Sequence, residues 1–294
     1  MRTELGRYGI FKRQNLLSTD IVVAVERLGY GAIWVGGSPP SDLRVIEEFL
    51  DATSTITIAT GIVNVWKDAA EPVAASYHRI EARHPGRFLL GIGIGHPEAT
   101  QTYAKPYETL VRYLDVLDAE GVPTDRRVLA ALGPRVLKLS AARSAGAHPY
   151  LVTPEHTRRA REIIGPDALL APEQKVVLDP DATSARSIGR AYVEKPYLSL
   201  VNYRNNLLTL GFDEADLDGG GSDRLIDALA IHGDVKAVAA GLRRHLDAGA
   251  DHVPVHLLTA PGEDPIPGYT ALAEALGRPL AGPSKTKNRS ASPR

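Results

Sequence analysis

The chain has 294 residues, of which 44% are hydrophobic and 23% are charged, and its formal net charge is −1 at pH 7. This is the composition of an ordinary globular protein, and the balanced charge gives no reason to expect nucleic acid as a partner. The absence of cysteine excludes disulfides, thiolate metal sites and a cysteine nucleophile.

Apolar runs alternate with helical patterns along the whole chain. The first predicted strand covers residues 8–11, and Ser18 or Thr19 then caps a helix that ends at Gly29. Residues 181–232 are predicted as helices and loops that form an insertion before the last strand. The later strands are predicted over residues 32–35, 55–65, 88–94, 127–132, 147–152, 174–178 and 253–258.

Repeated strand–helix units have parallel strands. Eight such units predict a closed (β/α)8 barrel, or TIM barrel, as a single domain over residues 1–280, with an open doubly wound sheet as the alternative. Residues 281–294 are basic and carry no large apolar side chain, so we expect a disordered tail there. Because the sequence shows neither a bilayer-spanning apolar run nor a signal peptide, we expect a cytoplasmic protein without a membrane partner.

Glycine recurs at every second position near the end of the fourth predicted strand. Gly91, Gly93 and Gly95 leave one face of this strand without side chains, which favours the close approach of another group, here interpreted as a cofactor. The alternative is a barrel interior that demands small residues. A dinucleotide fingerprint is excluded because His96 stands where that motif needs glycine, and Pro97 then disfavours an immediate helix.

The active site of such a barrel lies at the carboxyl ends of its strands. Gly61 interrupts a β-branched strand, and Asn64 follows as a polar residue that either contacts a ligand or only caps the strand end. Leu132 and Gly133 precede a helix whose first backbone N–H groups suit an anion. Thr153 is predicted as the N-cap of the next helix, with Pro154 at its first position. We predict no metal site, since His252 and His256 share a strand face without a visible third ligand.

Six segments, in order and spacing, resemble the bacterial luciferase-like family, and most closely its actinobacterial branch that uses coenzyme F420. They are residues 29–34 (GYGAIW), 59–62 (ATGI), 86–93 (GRFLLGIG), 145–150 (AGAHPY), 153–157 (TPEHT) and 220–225 (GGSDRL). The resemblance spans roughly residues 5–280 and depends on the order of the segments rather than on a single motif.

The resemblance implies a (β/α)8 barrel that binds F420 or FMN at the carboxyl ends of its strands. It places a non-prolyl cis peptide at Gly61–Ile62, behind the cofactor ring, and it suggests a homodimer acting on a small molecule. The cofactor-binding residues expected on this basis are Gly61, Ile62, Asn64, Ile94, Gly95, Leu132, Gly133 and Thr153.

The implied chemistry is hydride transfer between the C5 carbon of the deazaflavin and a small organic substrate. His96 is the expected proton donor or acceptor, because an imidazole titrates near neutral pH. Ser38 stands where some F420-dependent dehydrogenases of the family carry a histidine, which disfavours sugar-phosphate oxidation and favours reduction of an unsaturated or carbonyl compound. The alternatives are an FMN-dependent monooxygenase that uses O2 and a non-catalytic protein that binds a flavin or deazaflavin.

Overall fold

The computed structural model describes residues 5–95 and 105–277. Its strands are β1 (Tyr8–Arg13), β2 (Ala32–Gly36), β3 (Thr57–Gly61), β4 (Val63–Asn64), β5 (Phe88–Gly93), β6 (Arg127–Leu129), β7 (Gly146–Ala147), β8 (Leu169–Leu170), β9 (Gln174–Val177), β10 (Ala230–His232) and β11 (Val253–Leu257). Its α-helices are α1 (Thr19–Arg27), α2 (Arg44–Ala52), α3 (Ala70–Arg83), α4 (Pro106–Ala119), α5 (Pro134–Arg143), α6 (Pro154–Ile164), α7 (Ala182–Val193), α8 (Val201–Thr209), α9 (Glu214–Leu217), α10 (Asp223–Leu229), α11 (Val235–Asp247) and α12 (Ile266–Ala275).

Every strand pair in this sheet is parallel. The strand order is β10-β9-β11-β1-β2-β3-β5-β6-β7-β8, and β4 also pairs with β5. Strands β8 and β9 are consecutive pieces of one stretch of chain, so the order returns to its start. Between them, the N–H of Ala171 donates to the carbonyl of Ala147 and the N–H of Glu173 to that of Pro149, both at 2.9 Å. The sheet is therefore a closed barrel, as predicted, and the open-sheet alternative is wrong.

Side chains along the strands alternate between the barrel interior and the helical layer. On β1, Tyr8 and Ile10 belong to the large core between sheet and helices, whereas Phe11 belongs to a smaller cluster inside the barrel. Trp34 of β2 lies in the same interior cluster and is fully buried. The barrel interior is thus filled by large rings from neighbouring strands.

Two short strands were not predicted. The sequence pattern places residues 181–232 in helices and loops, but β10 lies within this segment and pairs with β9. Likewise β8 was not among the predicted strands, although it pairs with β7. Neither strand exceeds three residues, so each is defined by its neighbour in the sheet rather than by a local pattern.

The predicted strand ends at 132 and 152 are also wrong, because pairing stops earlier. β6 ends at Leu129 and β7 at Ala147, where the two strands diverge beyond a single bonded register position. The predicted third strand is two strands, β3 and β4, separated at Ile62. The predicted tail lies outside the described residues. Within the described ranges, no helix is long and apolar enough to cross a membrane.

Candidate active site at the carboxyl ends of the strands

The peptide bond between Gly61 and Ile62 is cis, as the resemblance implied. It lies between β3 and β4, at the carboxyl end of the barrel. After it, Val63 and Asn64 pair with Ile92 and Gly93 of β5. β3 pairs with both β2 and β5, whereas β4, beyond this bond, pairs with the end of β5.

The space that side chains would take at Gly91, Gly93 and Gly95 is filled by other atoms of the protein. A Cβ at Gly91 would collide with the carbonyl oxygen of Thr60, and one at Gly93 would lie 2.8 Å from the side chain of Ile62. A Cβ at Gly95 would lie 2.6 Å from Nδ2 of Asn64. The interpretation that these glycines leave room for a cofactor is therefore corrected: close packing against β3 and β4 accounts for them.

Asn64 has a clear structural role at the mouth of the barrel. It is buried, and its Oδ1 accepts a hydrogen bond from the backbone N–H of Trp66 at 3.0 Å. The indole Nε1–H of Trp66 donates in turn to the carbonyl of Ile94 at 2.6 Å. These two bonds hold the ends of β4 and β5 side by side, and they bring Asn64, Ile94 and Gly95 together.

A second group of predicted residues meets between β6 and α6. Thr153 caps α6, and its hydroxyl accepts from the N–H of His156 at 3.4 Å. The ring of His156 bonds through Nε2 to the carbonyl of Leu132 at 2.9 Å. Gly133 is the N-cap of α5, without a side-chain cap, and within residues 5–95 and 105–277 no atom lies within 4 Å of the place a Cβ would take. The α5 N-terminus is therefore open, beside the start of α6.

Of the two predicted catalytic residues, Ser38 lies within the described ranges and His96 does not. Ser38 follows the carboxyl end of β2 with a positive φ of 52° and is half-buried. Its hydroxyl makes no hydrogen bond within the described ranges. His96 lies outside those ranges, so its predicted role stays a prediction.

The sequence reasoning missed a group of rings at the centre of the mouth. The ring of Phe11 lies against the glycines that end β2 and β3. A Cβ at Gly36 would be 2.6 Å from this ring, and a Cβ at Gly61 would be 2.8 Å from it. The ring centroids of His256 and Tyr150 are 4.9 and 5.4 Å from that of Phe11. Phe11 therefore lies between the cis peptide and the opposite wall of the barrel.

That opposite wall holds a buried ionisable cluster. The ammonium of Lys175 lies 3.0 and 3.2 Å from the two carboxylate oxygens of Glu173, and both side chains are fully buried. His256 bonds through Nδ1 to Oε1 of Glu173 at 2.7 Å. The Lys175 ammonium also lies 3.8 Å from the ring centroid of Tyr150. A cation, an anion and an imidazole are thus held together inside the barrel.

Burial and charge pairing shift the pKa values of Glu173 and His256 in opposite directions. Burial raises the pKa of Glu173, but Lys175 and the His256 hydrogen bond outweigh it and bring that pKa to about 2. Burial lowers the pKa of His256, against the attraction of Glu173. Glu173 is therefore a carboxylate at neutral pH and His256 is a neutral imidazole. The sequence signal was available: charged residues at 173 and 175 alternate inside an apolar strand, where a charge needs a partner.

Another imidazole lies deeper in the barrel. His148 stacks on Trp34 with ring centroids 4.1 Å apart, and its Nδ1 bonds to the carbonyl of Ala171 at 2.7 Å. Its buried Nε2 has no partner within the described ranges. Burial lowers the pKa of His148 to about 4, so the ring is neutral at pH 7.

A cavity of about 820 Å³ opens at the other end of the barrel, where the strands begin. Its polar lining is engaged in structural bonds: Asp251 pairs with Arg161 at 2.6 Å and accepts the N–H of Leu170 at 2.8 Å. His252 accepts from the indole of Trp34 at 3.0 Å. Because sites in such barrels lie at the carboxyl ends, the mouth around the cis peptide is the candidate active site. No cluster of three potential metal ligands occurs in residues 5–95 and 105–277.

Comparisons by sequence, with protein-family models and with curated proteins, find no match. Solved structures do match. An F420-dependent secondary alcohol dehydrogenase, in complex with an F420–acetone adduct, has a TM-score of 0.74 at 14% identity, over 94% of this chain and 99% of that one. A coenzyme F420-dependent tetrahydromethanopterin reductase from Methanopyrus kandleri has a TM-score of 0.69 at 15% identity, over 92% of this chain and 98% of that one.

An FMN-binding relative of this fold is similar to the same extent. The oxygenating constituent of 3,6-diketocamphane monooxygenase, from the CAM plasmid of Pseudomonas putida and in complex with FMN, has a TM-score of 0.69 at 12% identity, over 94% of this chain and 98% of that one. At these identities the matches show the fold. The chain folds as a (β/α)8 barrel like those of these enzymes, which confirms the predicted barrel.

Proposed function

We propose that this protein is an oxidoreductase that binds coenzyme F420 at the carboxyl mouth of its barrel and transfers a hydride between the deazaflavin C5 and a small organic substrate. The observation that carries the proposal is the barrel itself, which matches those of two F420-dependent enzymes over 94% and 92% of this chain and gathers Asn64, Ile94 and Gly95 at one mouth. The F420-dependent and FMN-dependent enzymes that share the fold support the class of cofactor. The particular branch of the family and a homodimeric assembly belong to the same proposal.

The chemistry of the mouth fits an anionic, planar cofactor. The first-turn N–H groups of α5 are uncapped, its first turn holds no acidic side chain, and Gly133 leaves open space there. A helix N-terminus of this kind favours a phosphate. Arg135, in that first turn, lies with its guanidinium carbon 3.6 Å from the ring centroid of Tyr107, and Glu108 offsets its charge at 3.6 Å.

Different residues of the mouth would bind the tail and the ring of the cofactor. Gly133 and the start of α5 would hold the phosphate-bearing tail, while Ile62 and the ends of β4 and β5 would back the ring. When bound, the deazaflavin supplies the hydride acceptor or donor. The protein orients substrate against that ring, excludes water with the buried rings around Phe11, and moves the accompanying proton. The sequence assigned this proton to His96 and a second catalytic role to Ser38, and both assignments stay predictions.

FMN is the alternative cofactor, favoured by the likeness to the diketocamphane monooxygenase constituent. Deazaflavin has carbon at the position of the reactive flavin N5, so it favours hydride chemistry, whereas reduced FMN also reacts with O2. A binding protein without turnover is the remaining alternative. It is disfavoured by the buried cluster of Glu173, Lys175 and His256, since ionisable groups in a ligand-facing mouth are typical of catalytic sites.

The deciding experiment is a fluorescence-quenching titration of the purified protein with F420 and, separately, with FMN. We expect saturable binding of F420 that is at least tenfold tighter than that of FMN. Preference for FMN would replace hydride transfer with oxygen-dependent chemistry as the proposed function. Binding of neither would refute a flavin-type oxidoreductase.

A further inference from the structure

His256 is oriented like a catalytic base. Its Nδ1 lies 2.7 Å from Oε1 of Glu173, a carboxylate, so Nδ1 carries the proton and Nε2 holds the lone pair. Nε2 makes no hydrogen bond within the described residues, yet it is not sealed from solvent. An imidazole with one nitrogen fixed by a carboxylate and the other open is the arrangement that general-base catalysis requires.

The carboxylate that orients His256 is itself fully engaged. Glu173 accepts from Lys175 with both oxygens, at 3.0 and 3.2 Å, and Oε2 also accepts the N–H of Leu151 at 3.3 Å. Lys175 balances the charge of Glu173, which reduces the tendency of the carboxylate to protonate the imidazole. The pair therefore fixes the tautomer of His256 while leaving it neutral.

The surroundings of His256 are aromatic on several sides. Several groups from neighbouring elements face His256 or lie beside its partners: Lys12 and Phe11 of β1, Glu173 just before β9, Lys175 of β9, Tyr150 after β7 and Tyr192 of α7. The cations Lys12 and Lys175 both disfavour a second positive charge on the ring. The ring of Phe11 lies next to Gly61 on its other side, so His256 faces the cis peptide across it.

We propose that His256, in place of His96, is the general base of the site: its Nε2 removes the hydroxyl proton of a small alcohol whose hydrocarbon part packs on the rings of Phe11 and Tyr192. This rests on the proposed hydride-transfer function. The O–H bond breaks and its electron pair forms the carbonyl π bond, while the hydride leaves the carbon for an oxidised 5-deazaflavin. The proton ends on Nε2, the alcohol is oxidised by two electrons and the deazaflavin is reduced by two. In the opposite direction the imidazolium returns the proton to the oxygen.

The test compares His256→Asn with His232→Asn. Asparagine at 256 keeps an N–H for Glu173 but has no lone pair at the position of Nε2. His232 is a matched control because it also bonds to a carboxylate, Asp227 at 2.9 Å, but on β10 and away from Phe11. Single-turnover reduction of bound F420 would be followed with propan-2-ol, cyclohexanol and benzyl alcohol, and F420 affinity would be measured separately by fluorescence quenching.

We expect His256→Asn to bind F420 as the wild type does and to lose on the order of 100-fold in the single-turnover rate, with partial rescue by added imidazole. His232→Asn should keep the wild-type rate. The wild-type rate should fall as pH drops through a pKa below 6.5, and this dependence should be absent in His256→Asn. Imidazole rescue and the pH profile distinguish a base from a merely structural histidine.

A readout without cofactor tests the orientation itself. In the 15N-histidine NMR spectrum of the cofactor-free protein, His256 should be the Nδ1-protonated tautomer at neutral pH, and Glu173→Gln should abolish that preference. A mixture of tautomers in the wild type would overturn the inference. An unchanged single-turnover rate in His256→Asn would also overturn it, as would a rate loss confined to His96→Ala or the failure of every alcohol to reduce the bound F420. In each of these cases, intact F420 binding would leave the proposed function standing. Failure to bind F420 would overturn both.

Discussion

The ring of Phe11 occupies the space that a side chain at Gly61 would need. A Cβ at Gly61 would lie 2.8 Å from Cε2 of Phe11 and 3.5 Å from Nε2 of His148. The backbone φ of Gly61 is not in the left-handed region, so this contact, rather than conformational freedom, is what requires glycine there. The residue that precedes the cis bond is thus tied to the centre of the barrel.

Gly61→Ala should therefore destabilise the protein by about 1–3 kcal/mol, because the ring of Phe11 must move within a packed cluster. Urea denaturation at neutral pH measures the change in the free energy of unfolding. The matched variant is Gly61→Ala with Phe11→Leu, in which the smaller side chain should restore part of the loss. If the two substitutions changed the free energy of unfolding additively, contact with the ring of Phe11 would not be what requires glycine at position 61.

The fold was predictable because its signals are local and repeated. Strand–helix alternation and caps such as Ser18 and Thr153 specify the repeated units, and the structure confirms both caps. Strand limits were less predictable, since β6 and β7 end where their neighbours diverge. Two-residue β8 exists only through its pairing with β7.

The candidate site was predictable only in part. The cis bond at Gly61–Ile62 was anticipated by resemblance, and Asn64, Ile94 and Gly95 do lie together. The cluster around Glu173 was not anticipated, because residues distant in sequence supply its partners: His256 is 83 positions away. Such clusters depend on the closure of the barrel, which no local pattern encodes.

Trp34→Phe should destabilise the protein by about 1–3 kcal/mol, since the indole N–H donates to Nε2 of buried His252 at 3.0 Å and phenylalanine would remove that donor. Thermal unfolding followed by circular dichroism gives the measurement. The control is Trp66→Phe, where the lost partner is the carbonyl of Ile94 at the half-buried mouth, within reach of water. An equal loss for both variants would contradict the argument from burial.

The protein should lose stability on mild acidification because buried histidines are neutral in the folded state. Burial lowers the pKa of His148 from 6.5 to about 4 and that of His245 to about 3. Their folded pKa values lie below the unfolded value, so the unfolded state binds more protons in this window. The stabilisation from the neutral histidines is fully present above pH 6.5. As the pH falls from there towards the folded pKa of each histidine, that histidine lowers the free energy of unfolding by about 1.4 kcal/mol per pH unit.

Chemical denaturation at a series of pH values between 7 and 4.5 checks this slope. His148→Phe should flatten it by about 1.4 kcal/mol per pH unit, whatever its effect on stability at neutral pH. Buried Phe49 supplies the control: Phe49→Leu removes packed volume but no titratable group, so it should keep the wild-type slope. A wild-type slope in His148→Phe would show that His148 is not held neutral by burial.

Gly133→Asp should separate helix stability from cofactor binding. A carboxylate at this N-cap would accept the free N–H groups of the first turn of α5 and interact favourably with the helix dipole, raising the free energy of unfolding by about 0.5–1 kcal/mol. The φ of −83° suits any residue, and no atom obstructs a Cβ. The same carboxylate would repel a phosphate, so F420 should bind about tenfold more weakly at low salt. Gly133→Ser, which caps without charge, should gain similar stability and lose less affinity. If Gly133→Asp bound F420 as tightly as the wild type, the phosphate would have to be held elsewhere in the mouth.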